Sequence, residues 1–265
     1  MYKMICLDID GTLLNSQHKI TARVKDAVQK AAARDIHIIL VSARMPAGIL
    51  PFIKELAIKA PIICYSGALI LDEAQKTFHT NSISIAALAA IYNTCKKHAA
   101  HLSIYRNCNW YVESMDSWAA QESTITQIIP TIATAESLLA KWQSEATGPN
   151  KLLCMGEPEK IAVIAGLLNR ADMTIYRSKP TYLEMVDHTA SKTNAIQLLA
   201  QRYKINMKEI MTIGDNYNDI DMLQAAGLGI AMGNAPDDVK AQAKTVTASN
   251  DKDGVAIAIE KYGFA

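Results

Sequence analysis

The chain has 265 residues, of which half are hydrophobic and 20% are charged, so it folds as one large domain or two modest ones. Lysine and arginine number 27 against 26 acidic residues, and the net charge of +1 provides no strong field for nucleic acid or an anionic membrane. We therefore expect neither of these as a partner.

The apolar segments and the cysteines indicate where the protein is located. No stretch reaches the roughly 18 consecutive apolar residues that a membrane span needs. The apolar stretch at residues 4–7 ends at Asp8, which is too early for a signal peptide. The five cysteines are odd in number and have no CxxC spacing, which favours free thiols. We expect a cytoplasmic protein.

The first 80 residues alternate short apolar runs with helical patterns. Connections of this length between buried strands are right-handed and place successive strands parallel, with helices on both faces of the sheet. The pattern therefore predicts an α/β fold with a doubly wound parallel sheet. Its predicted strands are residues 3–9, 36–41 and 61–66, and its predicted helices are residues 21–34 and 46–59.

From about residue 80 to residue 186 the pattern changes to a helix followed by a hairpin, which occurs twice. The two helices are predicted at residues 84–99 and 157–170, and the two hairpins at residues 101–113 and 173–186. This order predicts an inserted α+β domain with an antiparallel sheet. We therefore expect a core of residues 1–80 and 187–265, interrupted by an inserted domain of residues 81–186.

The last part of the chain repeats the alternation of the first. It predicts further strands and helices of the same layered sheet. The strands are predicted at residues 209–214, 228–232 and 245–247, and the helices at residues 191–204, 217–226, 236–244 and 254–262.

Two aspartates follow the first predicted strand in the run Asp8-Ile9-Asp10-Gly11-Thr12. The carboxyl ends of parallel strands are where open α/β sheets bind ligands, and the glycine lets both side chains turn toward one crevice. Carboxylates that lie so close repel each other unless a cation binds between them. The alternative interpretation is a pair of solvated turn residues.

A second polar cluster follows the strand at residues 209–214. Asp215, Asn218 and Asp219 supply hard oxygen atoms of the kind that Mg²⁺ prefers. The same residues also suit a helix cap, and the two roles are compatible.

Two single residues complete the pattern. Ser42 follows the second predicted strand and offers a hydroxyl group to an anion, although a single serine at such a position is far more often a capping residue than a phosphate ligand. Lys192 begins a helix, where a cation opposes the positive end of the helix dipole. A carboxylate or phosphate facing Lys192 would explain its position.

In this order, these four signals resemble the four motifs of the haloacid-dehalogenase-like superfamily. The likeness is greatest to its Cof-type branch of Mg²⁺-dependent phosphatases, and it spans essentially the whole chain. Gly233-Asn234-Ala235 and Ser249-Asn250-Asp251 near the end are also similar to that branch. The resemblance implies a Rossmann-like core with an inserted α+β cap domain.

The resemblance also implies roles for individual residues. Asp8 would be the nucleophile that forms an aspartyl-phosphate, and Asp10 the general acid and base. The implied phosphate-binding residues are Ser42, Lys192, Gly11 and Asn218, and the implied Mg²⁺ residues are Asp8, Asp10 through its backbone carbonyl, Asp215 and Asp219.

The expected substrate is a small phosphorylated metabolite such as a sugar phosphate, with pyridoxal phosphate or a nucleotide as further candidates. Two alternatives stay open at this point. One is a phosphomutase of the same superfamily, and the other is a non-catalytic regulatory protein that binds a phosphorylated metabolite. The residues leave the oligomeric state undetermined.

Overall fold

The computed structural model describes residues 2–168 and 170–264. They form two compact units. The core unit contains the residues up to Ala43, Ile49–Phe78 and the residues from Ser191 onward. The inserted unit contains Arg44–Gly48 and His79–Ala190.

The strands divide between two sheets, one of eight strands and one of six. In chain order they are β1 (Met4–Asp8), β2 (His37–Val41), β3 (Ile62–Cys64), β4 (Leu69–Leu71), β5 (Thr77–Thr80), β6 (His101–Arg106), β7 (Asn109–Val112), β8 (Thr131–Ile132), β9 (Lys151–Met155), β10 (Met173–Lys179), β11 (Tyr182–Asp187), β12 (Ile210–Gly214), β13 (Leu228–Ala231) and β14 (Thr245–Val246).

The helices are short to moderate in length. Within residues 2–168 and 170–264, no helix has both the length and the apolar composition that crossing a membrane requires. The α-helices are α1 (Ala22–Ala32), α2 (Leu50–Leu56), α3 (Ile85–Lys97), α4 (Ser117–Thr126), α5 (Ala135–Ser144), α6 (Pro158–Leu167), α7 (Lys192–Tyr203), α8 (Ile220–Ala225), α9 (Asp237–Gln242) and α10 (Gly254–Ala258).

The sheet of the core unit has the order β14-β13-β12-β1-β2-β3-β4-β5. Strand β1 lies in the interior and pairs in parallel with β12 on one side and β2 on the other. All pairs from β14 to β3 are parallel, so the predicted doubly wound α/β sheet is confirmed. Because the strands are parallel, their carboxyl ends share one edge of the sheet, and Asp8 and Asp215 lie at that edge at the ends of β1 and β12.

Two strands of the core sheet differ from the predicted pattern. Strand β4 pairs antiparallel with β3, with Ile62 opposite Leu71, and β5 lies beyond it at the edge. Residues 69–71 are too few to give a strand pattern, and Thr77–Thr80 is largely exposed. Both runs therefore lack the buried apolar signal that predicted the parallel strands.

The inserted unit contains a sheet with the order β10-β11-β9-β6-β7-β8. This sheet includes both predicted hairpins, β6–β7 and β10–β11. Its pairs are antiparallel except for β7 and β8, which are parallel. Side chains of α3, α5 and α6 pack with the sheet in one apolar cluster, among them Leu88, Ile91, Trp142 and Ile161.

Helix α7 packs against the core sheet and carries Lys192 at its first position. Its buried residues Ala195, Ile196 and Leu199 belong to an apolar cluster with Met4 of β1 and Ile39 of β2. The N-cap is Ser191, whose hydroxyl accepts a hydrogen bond from the amide of Asn194 at 3.0 Å. This packing holds the start of α7 near the carboxyl end of β1.

Candidate active site

Strands β1 and β12 end side by side, and each leads to an acidic residue. Asp8 is the last residue of β1 and is buried. Asp215 follows β12 directly and is half-buried. Because the two strands pair in parallel, with Leu7 opposite Ile213, the two carboxylates lie at the same edge of the sheet.

The turn after β1 approaches Asp215 closely. Gly11 has a φ of +81°, which side chains rarely adopt, and a Cβ there would lie 2.2 Å from Oδ2 of Asp215. The hydroxyl of Thr12 donates a hydrogen bond to Oδ1 of Asp215 at 2.8 Å. Glycine at position 11 is thus required both by the backbone and by the neighbouring carboxylate.

Lys192 joins two of the carboxylates. Its Nζ lies 2.6 Å from Oδ1 of Asp8 and 2.6 Å from Oδ1 of Asp219, and only 3% of the residue is exposed. A buried ammonium at a helix N-terminus is unfavourable by itself, so these two ion pairs account for its position.

Asp219 uses both of its oxygens for contacts inside the protein. Oδ1 accepts from Lys192, and Oδ2 accepts from the backbone amides of Asp215 and Asn216, each at 3.0 Å. Gly214 leaves the space for this side chain, since a Cβ there would lie 2.6 Å from Cγ of Asp219. Asp219 thereby orients both Lys192 and the backbone that carries Asp215.

The electrostatics of the cluster are dominated by burial and by an excess of negative charge. Burial raises the pKa of Asp8 well above its usual range, Asp219 and Asp215 raise it further, and Lys192 opposes the shift. Burial also raises the pKa of Asp215 to about 6, against the hydrogen bond from Thr12. Burial acts to lower the pKa of Lys192, but Asp219 and Asp8 outweigh it and the pKa is raised.

The cluster has the donors that a divalent cation needs. One oxygen from each of Asp8, Asp215 and Asp219 lies within 4.8 Å of the other two. Carboxylate oxygens are hard ligands, and Lys192 forms ion pairs with Asp8 and Asp219, so the three carboxylates of the cluster exceed its one positive charge. Since both oxygens of Asp219 are already engaged, Asp8 and Asp215 are the better-placed direct ligands.

The other predicted site residues lie at the same edge of the sheet but differ in exposure. Asp10 is exposed, and its carboxylate is not part of the group of three. Ser42 is buried just beyond β2, where its amide donates to the carbonyl oxygen of Ile63 at 2.9 Å. Asn218 is exposed in the turn that ends at Asp219. The catalytic and phosphate-binding roles of these residues stay predictions.

Three further residues near the site have side-chain contacts that were not predicted from the sequence. Thr12 bonds to Asp215, as described above, and Asn234 donates to the backbone carbonyl oxygen of Gly11 at 2.9 Å. Asn250 donates from its side chain to the carbonyl oxygen of Leu14 at 2.9 Å. Asn234 and Asn250 lie in the runs Gly233-Asn234-Ala235 and Ser249-Asn250-Asp251, whose resemblance to the Cof-type branch, together with their position after β13 and β14, was the available signal.

A family model for haloacid dehalogenase-like hydrolases matches residues 5–259. The chain belongs to this family. The match begins within β1 and ends beyond α10, and so includes both the core unit and the inserted unit. The motifs around Asp8, Ser42, Lys192 and Asp215 predicted the haloacid-dehalogenase-like superfamily and its Cof-type phosphatases. The match confirms this prediction.

Relatives along the whole chain support the same placement among the haloacid dehalogenase-like hydrolases. A protein of Haemophilus influenzae, provisionally named a phosphatase, is 33% identical over an alignment of 266 positions that covers 98% of each chain. The pyridoxal phosphate phosphatase YbhA of Escherichia coli is 27% identical and covers 96% of each chain. The crystal structure of a haloacid dehalogenase-like hydrolase from Bacteroides thetaiotaomicron superimposes with a TM-score of 0.88 at 27% identity, over 98% of this chain and 99% of that one.

Proposed function

We propose that this chain is a Mg²⁺-dependent phosphatase that hydrolyses a small phosphorylated metabolite through an aspartyl-phosphate on Asp8, with residues 81–186 as its cap domain. The observation that carries the proposal is the buried cluster in which Lys192 bonds to Asp8 and Asp219 beside Asp215. A nucleophilic carboxylate, a fixed ammonium and further carboxylates for a cation are the parts that phosphoryl transfer requires.

The cation would be held by Asp8, Asp215 and the backbone carbonyl of Asp10, with Asp219 orienting them. When bound, Mg²⁺ neutralises negative charge on the carboxylates and on the phosphoryl oxygens, which is worth several kcal/mol to the transition state. Such neutralisation matters here because a phosphate monoester and the Asp8 carboxylate are both anions that repel each other.

In the first step an oxygen of Asp8 attacks phosphorus and the bond from phosphorus to the ester oxygen breaks. Asp10 donates its proton to the departing oxygen, so the product alcohol leaves neutral. General acid catalysis of this kind contributes about 10²–10⁴ in rate. Lys192, held within 2.6 Å of Asp8, orients the nucleophile and stabilises charge on the phosphoryl oxygens.

In the second step Asp10, now ionised, takes a proton from a water molecule that attacks phosphorus. The bond between phosphorus and the Asp8 oxygen breaks, which restores the Asp8 carboxylate and releases inorganic phosphate. Asp10 thereby recovers its proton. Ser42 and the amides of the turn at Gly11 would hold the phosphoryl oxygens through both steps.

The proposed substrate is a small phosphate monoester. A panel of candidate substrates would begin with sugar phosphates and continue with pyridoxal phosphate. Pyridoxal phosphate enters the panel because a relative that is 27% identical over 96% of this chain is named a pyridoxal phosphate phosphatase. A hexose phosphate distinguishes hydrolysis from mutase activity, since a mutase yields an isomer and no free phosphate.

The test is phosphate release from p-nitrophenyl phosphate and from the panel, with Mg²⁺ and with a chelator. Asp8→Asn is expected to lose roughly a thousandfold or more in kcat, because an amide is a poor nucleophile. Asp26→Asn is the matched control, since Asp26 is an exposed residue of α1 whose carboxylate pairs with Lys30. Release by Asp8→Asn at the rate of the wild type, or no release by the wild type from any substrate, would contradict the proposal.

A further inference from the structure

Two loops from the end of the core unit hold the loop that follows β1. We call their three contacting residues, Asn234, Asn250 and Asp251, the C-terminal brace. Asn234 lies after β13, and Asn250 and Asp251 lie after β14, so all three come from the edge of the sheet where β1 and β12 also end. None of these residues is among the three clustered carboxylates.

The brace holds successive backbone groups of the loop. The side-chain amide of Asn234 donates to the carbonyl oxygen of Gly11 at 2.9 Å, and that of Asn250 donates to the carbonyl oxygen of Leu14 at 2.9 Å. Oδ1 of Asp251 accepts from the amide of Ser16 at 2.8 Å. The loop is thus held at three points along six residues.

The brace residues are also joined to one another. The amide of Asn250 donates to Oδ1 of Asn234 at 2.9 Å, so each end of the Asn234 side chain has a defined partner. The loops that carry them approach closely at Gly233, whose amide donates to the carbonyl oxygen of Ala248 at 3.0 Å. A Cβ at position 233 would lie 2.7 Å from the amide nitrogen of Ser249.

The loop after β1 is bounded on its other side by Asp215. Gly11 lies against the Asp215 carboxylate, and Thr12 donates to it. The Gly11 peptide therefore has Asp215 near its α-carbon and Asn234 on its carbonyl oxygen. Asp10 and Gly11 both have non-helical backbone angles within this turn, which a hydrogen bond from the amide of Leu14 to the carbonyl oxygen of Ile9 at 3.0 Å closes.

We propose that Asn234, supported by Asn250, is a positioning residue that orients the Asp10 carboxyl for proton transfer. The inference rests on the proposed role of Asp10 as general acid. Asp10 directly precedes Gly11, so a shift of the Gly11 backbone moves the backbone that carries the Asp10 carboxyl. A displacement of about 1 Å at a catalytic group lowers rates by up to roughly a hundredfold.

The dependence of kcat/KM on the leaving group distinguishes this positioning role from a general loss of structure. p-Nitrophenolate departs without needing a proton, whereas the alkoxide of an alkyl phosphate needs one in the transition state. The ratio kcat/KM reports on the steps up to the first irreversible one, here the transfer of the phosphoryl group to Asp8. A misplaced Asp10 therefore lowers kcat/KM for glycerol phosphate more than for p-nitrophenyl phosphate.

The experiment compares Asn234→Ala and Asn234→Asp with the wild type on those two substrates. Both variants remove the donor to the Gly11 carbonyl, while Asn234→Asp keeps an acceptor for the Asn250 amide. We expect each variant to lose roughly tenfold in kcat/KM on glycerol phosphate and less than about threefold on p-nitrophenyl phosphate. Asn250→Ala is expected to lower kcat/KM on glycerol phosphate relative to p-nitrophenyl phosphate in the same direction, but by less.

Asn206→Ala is the matched control. Asn206 also bonds to backbone, accepting from the amide of Lys208 at 2.9 Å, but it precedes β12 at the opposite edge of the sheet. We expect this variant to lower the melting temperature and to leave the ratio between the two substrates unchanged. Amide hydrogen exchange at residues 12–14 gives a readout that is independent of activity, and we expect faster exchange in both Asn234 variants.

Three results would each overturn the inference. They are equal losses of kcat/KM on the two substrates in Asn234→Ala, unchanged kcat/KM on both, or a ratio of kcat/KM between the two substrates in Asn234→Asp that equals that of the wild type. These outcomes require an active wild type and so differ from a failure of the proposed function, in which the wild type releases no phosphate at all.

Discussion

Each unit of the protein contains a buried lysine bonded to a carboxylate at 2.6 Å, yet the two sites differ in charge balance. In the core unit, Lys192 faces Asp8 and Asp219, with Asp215 beside them. In the inserted unit, Lys151 pairs with Glu184, and the side chains of both are 11% exposed. The charges of one lysine and one carboxylate cancel, whereas a cluster with excess carboxylates favours a further cation.

The pKa shifts of the carboxylates follow this difference. Burial acts to raise the pKa of Glu184, but Lys151, with hydrogen bonds from Ser178 and Tyr176, outweighs it and the pKa is lowered. Burial raises the pKa of Asp8, and the neighbouring carboxylates raise it further despite Lys192. A buried ion pair by itself therefore does not indicate a functional site. Buried carboxylates whose charge is not balanced by a neighbouring cation do indicate one.

Among the changes that distinguish the two lysine sites, removing each lysine in turn is expected to have the largest effect. Lys192→Met is expected to lower kcat about 10²–10³-fold, because the nucleophile loses its partner and the phosphoryl oxygens lose a cation. Lys151→Met is expected to cost about 3–5 kcal/mol of unfolding free energy, since Glu184 would be left buried and unpaired, with kcat nearly unchanged.

Steady-state kinetics and urea unfolding of both variants measure these two effects. A comparable loss of kcat in Lys151→Met, with its fold intact at the assay temperature, would break the distinction between the two sites.

A smaller effect is expected from the cation. Mg²⁺ at a hundred times its dissociation constant is expected to stabilise the wild type by about 2.7 kcal/mol, because it binds the folded state. Asp215→Asn is expected to lose most of that gain, and Glu184→Gln to keep it. Thermal unfolding with Mg²⁺ and with a chelator measures the gain, and equal stabilisation of Asp215→Asn and wild type would argue against a cation at this cluster.

The smallest effect is the dependence of stability on pH at Glu184. Its folded pKa is lowered, so its contribution is present above the unfolded value of 4.5 and is lost as the pH falls through the folded pKa. The difference in unfolding free energy between wild type and Glu184→Gln is therefore expected to narrow below about pH 4.5. Urea unfolding of the wild type and of Glu184→Gln across that range checks it, and a difference that does not change with pH would contradict it.

Much of the core sheet was predictable because its parallel strands are short, continuous apolar runs. Met4–Asp8 and Ile210–Gly214 are fully buried, and their sequences indicate as much. Strand β4 and the edge strand β5 were not predictable, since a run of three residues and an exposed run have no such pattern. Helix α4 was also missed, because Ala119 is its one buried residue and it has no apolar stripe.

The site was predictable to the level of its motifs. Asp8, Asp215 and Lys192 each lie at the end of a strand or the start of a helix, so topology alone predicts that they meet. The division of the Asp219 carboxylate between Lys192 and two backbone amides was not predictable. The same holds for the bond from Asn234 to Gly11, which joins residues 223 positions apart.

By itself the sequence determined the alternation of strands and helices, the inserted segment and the residue types at the carboxyl ends of the strands, because periodicity and motif order are local properties of the chain. Only the tertiary structure decided which oxygen of each carboxylate meets which partner, and which loops hold the turn at Gly11. Those contacts depend on distances of a few ångströms between distant segments, and these are set by the packing of the whole core unit.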